Sequence, residues 1–389
     1  MFVLFTRARF DLDGALLLAS LYYLFVVVLE VPSGWASDRL GRVVTLRAAA
    51  IFWIGAQACF LFGDERFFVI AVGQLLLAGG FASLSGTDVT LHYDTLEAAG
   101  RADSYPDRQA KVSALGYVAT AASALLGGLL GLVDLRLAFV ASLGLAVAQF
   151  GVTLRLREPP HAAGDAESFY RQLRVCLGYL KQRYLGWLFL YGVILVTLVH
   201  VAFTLMQPWL TNVLDQTADD LGATPLLAGV VFAVTSLVGA VAARLSAPLT
   251  RRFGAPATLI GFAALSAVLV TAMAASTHIV IIAALAFRSA QGAAAPVVIS
   301  AEVSPRVARG HRATVLSLNS LAGRLGYGLL LLFVAADSTD DVQRVLRTFS
   351  IISWSLVGLL LVSVLALRGD RASTERATTA TSVSPRRST

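Results

Sequence analysis

Charged residues are scarce in this chain. Only 14% of its 389 residues are Asp, Glu, Lys or Arg, whereas a soluble domain usually contains about 25%. Apolar residues make up 57% of the chain, and the mean hydropathy is +0.73. A soluble protein of this length could not bury so much apolar surface, which excludes an ordinary cytosolic enzyme or a nucleic-acid-binding protein despite the pI near 9.7. The composition therefore predicts an integral membrane protein that contacts a lipid bilayer and no nucleic acid.

The residues that build common catalytic and metal sites are also few. The only two cysteines are Cys59 and Cys176, which excludes a disulfide scaffold. The only two lysines, Lys111 and Lys181, lie in no phosphate-binding loop, which excludes an ATP-hydrolysing pump. The five histidines are scattered without a short-range pair, and no G-x-S-x-G motif stands out. We therefore expect no metal, no cofactor and no enzymatic activity.

Long apolar runs recur along the whole sequence. A helix needs about 20 residues, at about 1.5 Å each, to cross about 30 Å of hydrocarbon. The run over 253–287 is too long for one crossing and is predicted to break at Ser276-Thr277-His278. Eleven complete spans are predicted, at 14–35, 45–63, 67–91, 112–133, 135–154, 186–209, 226–249, 256–275, 278–302, 313–334 and 345–367.

The distribution of Lys and Arg predicts the orientation of these spans. Of the 31 basic residues, 22 fall in one set of alternate loops and the C-terminal tail, six in the other set, and three inside spans. Because basic loops stay on the cytoplasmic side, the C-terminus is expected in the cytoplasm, in the cytoplasmic (inner) membrane of a cell. Eleven spans would then leave Met1 outside. Residues 1–6 are therefore interpreted as the stub of a further first helix, the alternative being a short terminal strap.

The longest polar interval divides the chain near its middle. This division predicts an N-terminal transmembrane bundle over 1–154, a cytoplasmic linker over 155–185, a C-terminal bundle over 186–368 and a disordered tail over 369–389. The linker is predicted to carry a helix that lies in the membrane interface, the alternative being a solvated helix. A weak repeat relates the two halves, since an offset of 213 residues aligns Arg39 with Arg252 and Gly41 with Gly254.

One loop between two spans carries a motif with full spacing. It reads Gly34-x-x-x-Asp38-Arg39-x-Gly41-Arg42, and in it the sequence resembles the major facilitator superfamily, whose signature loop is G-x-x-x-D-[RK]-x-G-[RK]. The resemblance covers about residues 1 to 368. It implies an all-α membrane fold of two pseudo-symmetric six-helix bundles, a monomer, and Met1–Thr6 as the end of helix one. Further segments resemble a bacterial branch of that superfamily: Leu29–Gly34, Ser85–Asp88, Tyr93-Asp94 and Arg312–Leu318.

The residue types in this loop suggest a gate between the bundles. Glu30, Gly34 and Asp38 lie four residues apart and share one helical stripe, and Gly34 would let a neighbouring helix approach closely. The Asp38 carboxylate could rest on a helix N-terminus, which the family architecture places near 313–317. Arg42 is expected to pair with Asp94. Together these contacts would latch the bundles on the cytoplasmic side, the alternative being a plain basic turn.

Two arginines are predicted near the membrane midplane of the C-terminal half. Arg288 lies about ten residues into its span and Arg324 about eleven. Because a guanidinium pairs bidentately with carboxylate or phosphate, either could bind an anionic group of a substrate. The alternative is a structural role, in which each arginine satisfies backbone carbonyls or an acid across the bundle.

Three further ionisable residues at membrane depth are candidates for proton coupling. Glu30 and Asp88 could each take and release a proton, or hold the inner gate. His200 could relay a proton or simply pack with a hydrogen bond. Four polar or aromatic residues also lie at a depth compatible with a substrate cavity: Tyr22, Gln74, Tyr117 and Asn319.

The sequence as a whole predicts a secondary transporter. Alternating access would move a small-molecule substrate across the membrane, with protons as the coupling ion and export slightly favoured over uptake. A non-transporting sensor or inactive remnant of the fold is one alternative, and a proton-coupled importer of a small anion is another. The identity of the substrate does not follow from the sequence.

Overall fold

The computed structural model describes residues 2–7, 9–159, 169–216, 222–308, 311–336 and 341–382. Within these ranges ten helices are long and apolar enough to cross a membrane. The one remaining predicted span, 112–133, is helical as far as Gly131, and its apolar part is Val118–Gly131. The chain is therefore an all-helical membrane protein, as the composition predicts.

Seven helices form the N-terminal half. They are α1 Phe2–Arg7, α2 Leu12–Leu40, α3 Arg42–Phe62, α4 Phe67–Leu84, α5 Thr87–Ala98, α6 Tyr105–Gly131 and α7 Leu135–Thr153. The linker contributes α8 Phe169–Tyr179. The C-terminal half contains α9 Arg183–Val213, α10 Thr224–Phe253, α11 Ala255–Ala275, α12 Ile281–Ala284, α13 Ala290–Val303, α14 Arg312–Ala335 and α15 Val342–Ser382, with a 3₁₀ segment over Leu285–Ser289.

Two of the helix junctions reproduce the weak sequence repeat. Gly41 separates α2 from α3 with φ +101°, and Gly254 separates α10 from α11 with φ +82°. A side chain is strained at such positive φ values, so glycine is the natural residue at both sharp turns. The break predicted at Ser276-Thr277-His278 is also present, because α11 ends at Ala275 and α12 begins at Ile281.

Each half has its own apolar core. In the N-terminal half the rings of Phe5, Phe60 and Phe139 pack together, with centroids 4.4 Å apart for Phe5 and Phe139. In the C-terminal half Tyr191 is fully buried, and its hydroxyl donates to the Leu259 carbonyl at 3.0 Å. A further apolar cluster joins the two halves, since Leu12, Leu16 and Tyr23 of α2 pack with buried residues of α9 and α14.

The interface pairs α2 with α14 and α6 with α10. We call the end of the bundles that holds residues 34–42 the motif end, and the opposite end the far end. At the far end a Cβ built on Gly128 would lie 2.9 Å from the Pro225 carbonyl oxygen and 3.1 Å from Leu226 Cα. In the α2–α14 pair the buried Ser20 hydroxyl donates to the Gly328 carbonyl at 2.6 Å. The two bundles are thus in tight backbone contact at the far end.

The surroundings differ at the motif end. A Cβ built on Gly34 would meet no described atom within 4 Å, and the same is true of Gly116, farther along α6. The expectation that Gly34 permits a close helix approach therefore stays a prediction. Trp35 beside it is 57% exposed.

The linker and the tail each differ in part from the sequence predictions. In α8 the fully buried Cys176 joins the core of the C-terminal bundle, whereas the neighbouring Leu177 is 49% exposed. Residues 160–168 of the linker lie outside the described residues. The backbone of α15 continues to Ser382, although disorder is predicted from residue 369; its Ala, Arg and Glu residues are compatible with a helix. Residues 383–389 lie outside the described residues.

Candidate functional site

An acid and a base face each other across the interface between the bundles. Arg324 of α14 has its Nη1 atom 3.9 Å from Oε2 of Glu30 in α2, and the two side chains are 21% and 17% exposed. The Arg324 guanidinium also lies over the ring of Phe81, 4.5 Å from its centroid. The Glu30 oxygen is buried without a hydrogen-bond partner among the described atoms. The sequence left two roles open for Arg324, and the structure places it against an acid of the other bundle.

A group of rings lies beside this pair, and we call Tyr22, Tyr23, His200, Phe203 and Tyr327 the aromatic cluster. The Tyr23 ring meets His200 and Tyr327 edge-on, with centroids 5.3 Å and 4.9 Å apart. Tyr22 packs against Tyr23, and Phe203 lies 6.4 Å from His200. Because Tyr22 and Tyr23 belong to α2 whereas the others belong to α9 and α14, the cluster bridges both bundles.

Hydrogen bonds fix two members of the aromatic cluster. His200 Nδ1 lies 2.7 Å from the Val196 carbonyl oxygen, which can only accept. Nδ1 must therefore carry the hydrogen, and the neutral ring presents Nε2 as an acceptor. The Tyr327 hydroxyl lies 2.9 Å from the Thr204 hydroxyl. His200 is thus a packed, oriented ring, and its role as a proton relay stays a prediction.

Arg288 is the second arginine predicted near the midplane, and it is 4% exposed. Its Nη2 donates to the Thr235 hydroxyl at 3.2 Å, while Nε is buried without a partner among the described atoms. The guanidinium carbon lies 5.4 Å and 5.3 Å from the ring centroids of Phe203 and Phe232. No ion pair of Arg288 is found with any described carboxylate. The arginine lies in the 3₁₀ segment that interrupts the helix between α12 and α13.

The remaining cavity candidates have diverse surroundings. Asn319 donates to the Phe189 carbonyl at 2.8 Å, which ties α14 to α9 within the C-terminal bundle. Gln74 in α4 is 2% exposed, and its amide oxygen has no partner among the described atoms. Tyr22 interacts electrostatically with Arg324 and Glu30 and so belongs beside the acid–base pair. The side chain of Tyr117 lies outside the described part of the structure.

The signature loop contains one of its predicted pairs. The Arg42 guanidinium forms an ion pair with the Asp94 carboxylate, and the side chains are 17% and 16% exposed. Arg39 is exposed, with its guanidinium 5.0 Å from the centre of the Trp35 ring. The side chain of Asp38, like those of Arg312 and Ala313, lies outside the described part. The proposed seat of Asp38 on a helix N-terminus therefore remains a prediction.

Glu158 contacts this loop, which the sequence did not predict. Its two carboxylate oxygens accept the backbone N–H groups of Arg42 at 2.8 Å and Val43 at 2.7 Å. These N–H groups begin α3, where the helix dipole favours an anion and Gly41 offers no side chain to cap them. In the sequence Glu158 stands before Pro159 and Pro160, a pattern that indicates only the end of the preceding helix. The uncapped start of α3 is the signal that could have pointed to an incoming acid.

Asp88 differs from Glu30 in its exposure. It lies in the first turn of α5 at the motif end and is exposed, whereas Glu30 is largely enclosed between the bundles. Among the described residues, Asp88 forms no ion pair that links the two bundles.

Comparisons with known proteins identify the family. A sequence profile described as "Major Facilitator Superfamily" matches residues 6–331. No curated protein matches the sequence. Three solved structures resemble the fold: a mutant of the nucleoside transporter NupG (TM-score 0.78, 15% identity, 93% of each chain covered), an auto-inhibited POT-family peptide transporter (0.63, 15%, 90% of this chain and 88% of that one), and an inward-facing bacterial homologue of the human lysosomal transporter Spinster (0.60, 19%, 92% and 88%).

Proposed function

Because this chain belongs to the major facilitator superfamily and is a secondary transporter, we propose that it couples substrate movement to protons through Glu30. The observation that carries the proposal is the Glu30–Arg324 pair between the bundles. Alternating access requires the bundles to rock against each other around a central site. A carboxylate that contacts the opposite bundle is placed to make this motion depend on its protonation.

The physical link is an electrostatic one. While Glu30 is ionised, it attracts Arg324 and favours the arrangement in which α2 and α14 lie together. A proton on Glu30 removes this attraction, so the separated arrangement becomes relatively more populated. By the reciprocity of linkage, a change of conformation also changes the affinity of Glu30 for its proton. Proton binding and bundle movement are then coupled in both directions.

The direction of transport and the orientation are also part of the proposal. The steep excess of Lys and Arg in alternate loops supports a cytoplasmic motif end and a cytoplasmic C-terminus in the cell membrane. With that orientation the tight far-end contact closes the external side. We propose that the protein works as a monomer and exports its substrate in exchange for protons. Uptake of a small anion with protons is the second candidate function, and the buried Arg288 favours it because a cation there suits an anionic cargo.

Reconstitution tests proton coupling. Purified protein is first screened with anions, sugars and lipophilic cations for thermal stabilisation, and each hit is then offered to proteoliposomes that contain a pH-sensitive dye. We expect substrate movement to accompany proton flux in the wild type. Glu30→Gln should abolish accumulation driven by a pH gradient but keep substrate exchange without a gradient. Asp88→Asn is the matched control and should keep both activities; gradient-driven accumulation by Glu30→Gln at the wild-type rate would contradict the proposal.

A further inference from the structure

Arg288 differs from Arg324 in having no described counter-charge. Its side chain is 4% exposed, its Nε atom has no partner among the described atoms, and its one described hydrogen bond goes to the neutral Thr235 hydroxyl. A buried cation without an anion is costly, and proteins normally pair it. Since Glu30 is matched by Arg324, the central region carries one guanidinium charge in excess. We infer that Arg288 receives the anionic group of the transported substrate, a small organic anion with a planar apolar ring.

The rings around Arg288 provide the apolar part of this site. Phe203 and Phe232 both lie within about 5.5 Å of the guanidinium carbon. The Phe203 ring contacts His200, and His200 contacts Tyr23, so aromatic rings extend from Arg288 toward the bundle interface. Planar rings stack on such surfaces, and a carboxylate pairs bidentately with a guanidinium. The arrangement fits a ligand with an anionic end and a flat end.

Phe203 also indicates the side from which a ligand arrives. It is 42% exposed, whereas the guanidinium that it covers is almost fully buried. A ring with this exposure can turn aside and open the guanidinium to a ligand. The backbone at Arg288 is a 3₁₀ segment between two α-helices, and such mid-helix segments often mark functional hinges. Both features allow the site to change shape as the ligand binds.

The charge of Arg288 also favours an aromatic anion over a lipophilic cation or a neutral sugar. A lipophilic cation would be repelled by Arg288, because the described residues place no carboxylate beside it. A neutral sugar would leave the buried guanidinium without a counter-charge. An aromatic carboxylate satisfies the guanidinium and covers the rings at the same time.

The inference rests on the proposed function in that the chain must be a transporter, but its test requires neither transport nor a proton gradient. The probe is benzoate, compared with benzamide, which has the same ring without the charge, and with benzylamine. Binding to the purified full-length protein is measured by calorimetry and by thermal stabilisation. In the wild type we expect benzoate to bind at least about tenfold more tightly than benzamide, and benzylamine not to bind, because a charge-assisted bidentate pair is lost in both.

Substitutions of Arg288 then test whether this residue binds the carboxylate. Arg288→Gln should weaken benzoate by at least about tenfold, and Arg288→Lys should lose less because it keeps the charge. The matched control is Arg244→Gln, which removes an exposed arginine of the same bundle and should leave binding unchanged. If Arg288→Gln does not fold, the comparison of benzoate with benzamide in the wild type still tests the inference. Equal binding of the two probes, or unchanged benzoate binding in Arg288→Gln, would overturn the inference. Such a result would leave Glu30-dependent proton coupling standing, whereas loss of coupling alone would leave the anion site standing.

Discussion

The carboxylate of Glu30 in α2 and the guanidinium of Arg324 in α14 lie 3.9 Å apart. Because the two residues belong to different bundles, the distance between them depends on the relative position of the bundles. The pair lies beside the aromatic cluster, which extends toward the proposed anion site at Arg288. The proposed coupling of protons to bundle movement depends on this pair.

The first prediction concerns the energy of the Glu30–Arg324 pair. We expect Glu30→Gln and Arg324→Gln to be non-additive, with a coupling energy of about 0.5–2 kcal/mol, because each single change leaves the other group enclosed without its partner. The measurement is a double-mutant cycle on the unfolding of the purified protein. Strictly additive effects would mean that the two groups do not interact.

The second prediction concerns the far-end contact. Gly128→Val should force α6 away from α10, because the added atoms would press on the backbone of Pro225 and Leu226. Overpacking of this kind costs about 1–3 kcal/mol, enough to open the far end at least about tenfold more often.

The readout for this change is chemical labelling. Cys59 and Cys176 are replaced by Ala, and a cysteine is introduced by Ala228→Cys, at a position in α10 that is 3% exposed. Its reaction with N-ethylmaleimide should accelerate in Gly128→Val. Gly116→Val in the same helix is the control, because a Cβ built there would meet no described atom within 4 Å. Equal acceleration in both variants would argue against a specific gate at Gly128.

The third prediction concerns Glu158. Glu158→Gln removes the charge from the two hydrogen bonds to the start of α3 and should lower the free energy of unfolding by about 1 kcal/mol. Hydrogen exchange at the Arg42 and Val43 amides should quicken at the same time. Glu97→Gln, on the exposed surface of α5, is the control and should change neither quantity. Unchanged exchange at both amides in Glu158→Gln would show that the cap is not formed.

The fourth prediction concerns the ion pair in the signature loop. Asp94→Asn should destabilise the protein by about 1–3 kcal/mol, since it leaves the largely enclosed Arg42 without its counter-charge. Adding Arg42→Gln should recover part of this loss. Arg39→Gln removes an exposed guanidinium from the same loop and should cost less than about 0.5 kcal/mol. Thermal unfolding compares the variants, and a larger loss in Arg39→Gln than in Asp94→Asn would contradict the assignment.

Much of the fold could be predicted because bilayer thickness imposes a length on every apolar run. The break at Ser276-Thr277-His278 and the turns at Gly41 and Gly254 follow from local composition and agree with the structure. The Arg42–Asp94 pair could be named from the signature loop and the resemblance of its surroundings. The break and the turns follow from residues that are close together in the sequence, and the ion pair follows from the resemblance to the family.

The features that escaped prediction depend on how distant helices meet. The sequence allows several partners for Arg324, and only the packing of α14 against α2 selects Glu30. Glu158 reaches α3 from 115 residues away, so no local pattern signals the contact. The rings of Phe203 and Phe232 come from α9 and α10, and their convergence on Arg288 requires the folded C-terminal bundle.

The most direct test of the central claim measures the far-end distance between the bundles as a function of pH. Spin labels are attached after Phe68→Cys in the N-terminal bundle and Ile279→Cys in the C-terminal bundle, both exposed at the far end, with Cys59 and Cys176 replaced by Ala. We expect the wild type to gain a longer-distance population as the pH is lowered and Glu30 takes up a proton and releases Arg324. We expect Glu30→Gln to show this population already at the higher pH and no longer to respond to pH. An unaltered pH response in Glu30→Gln would contradict the claim that Glu30 is the proton site.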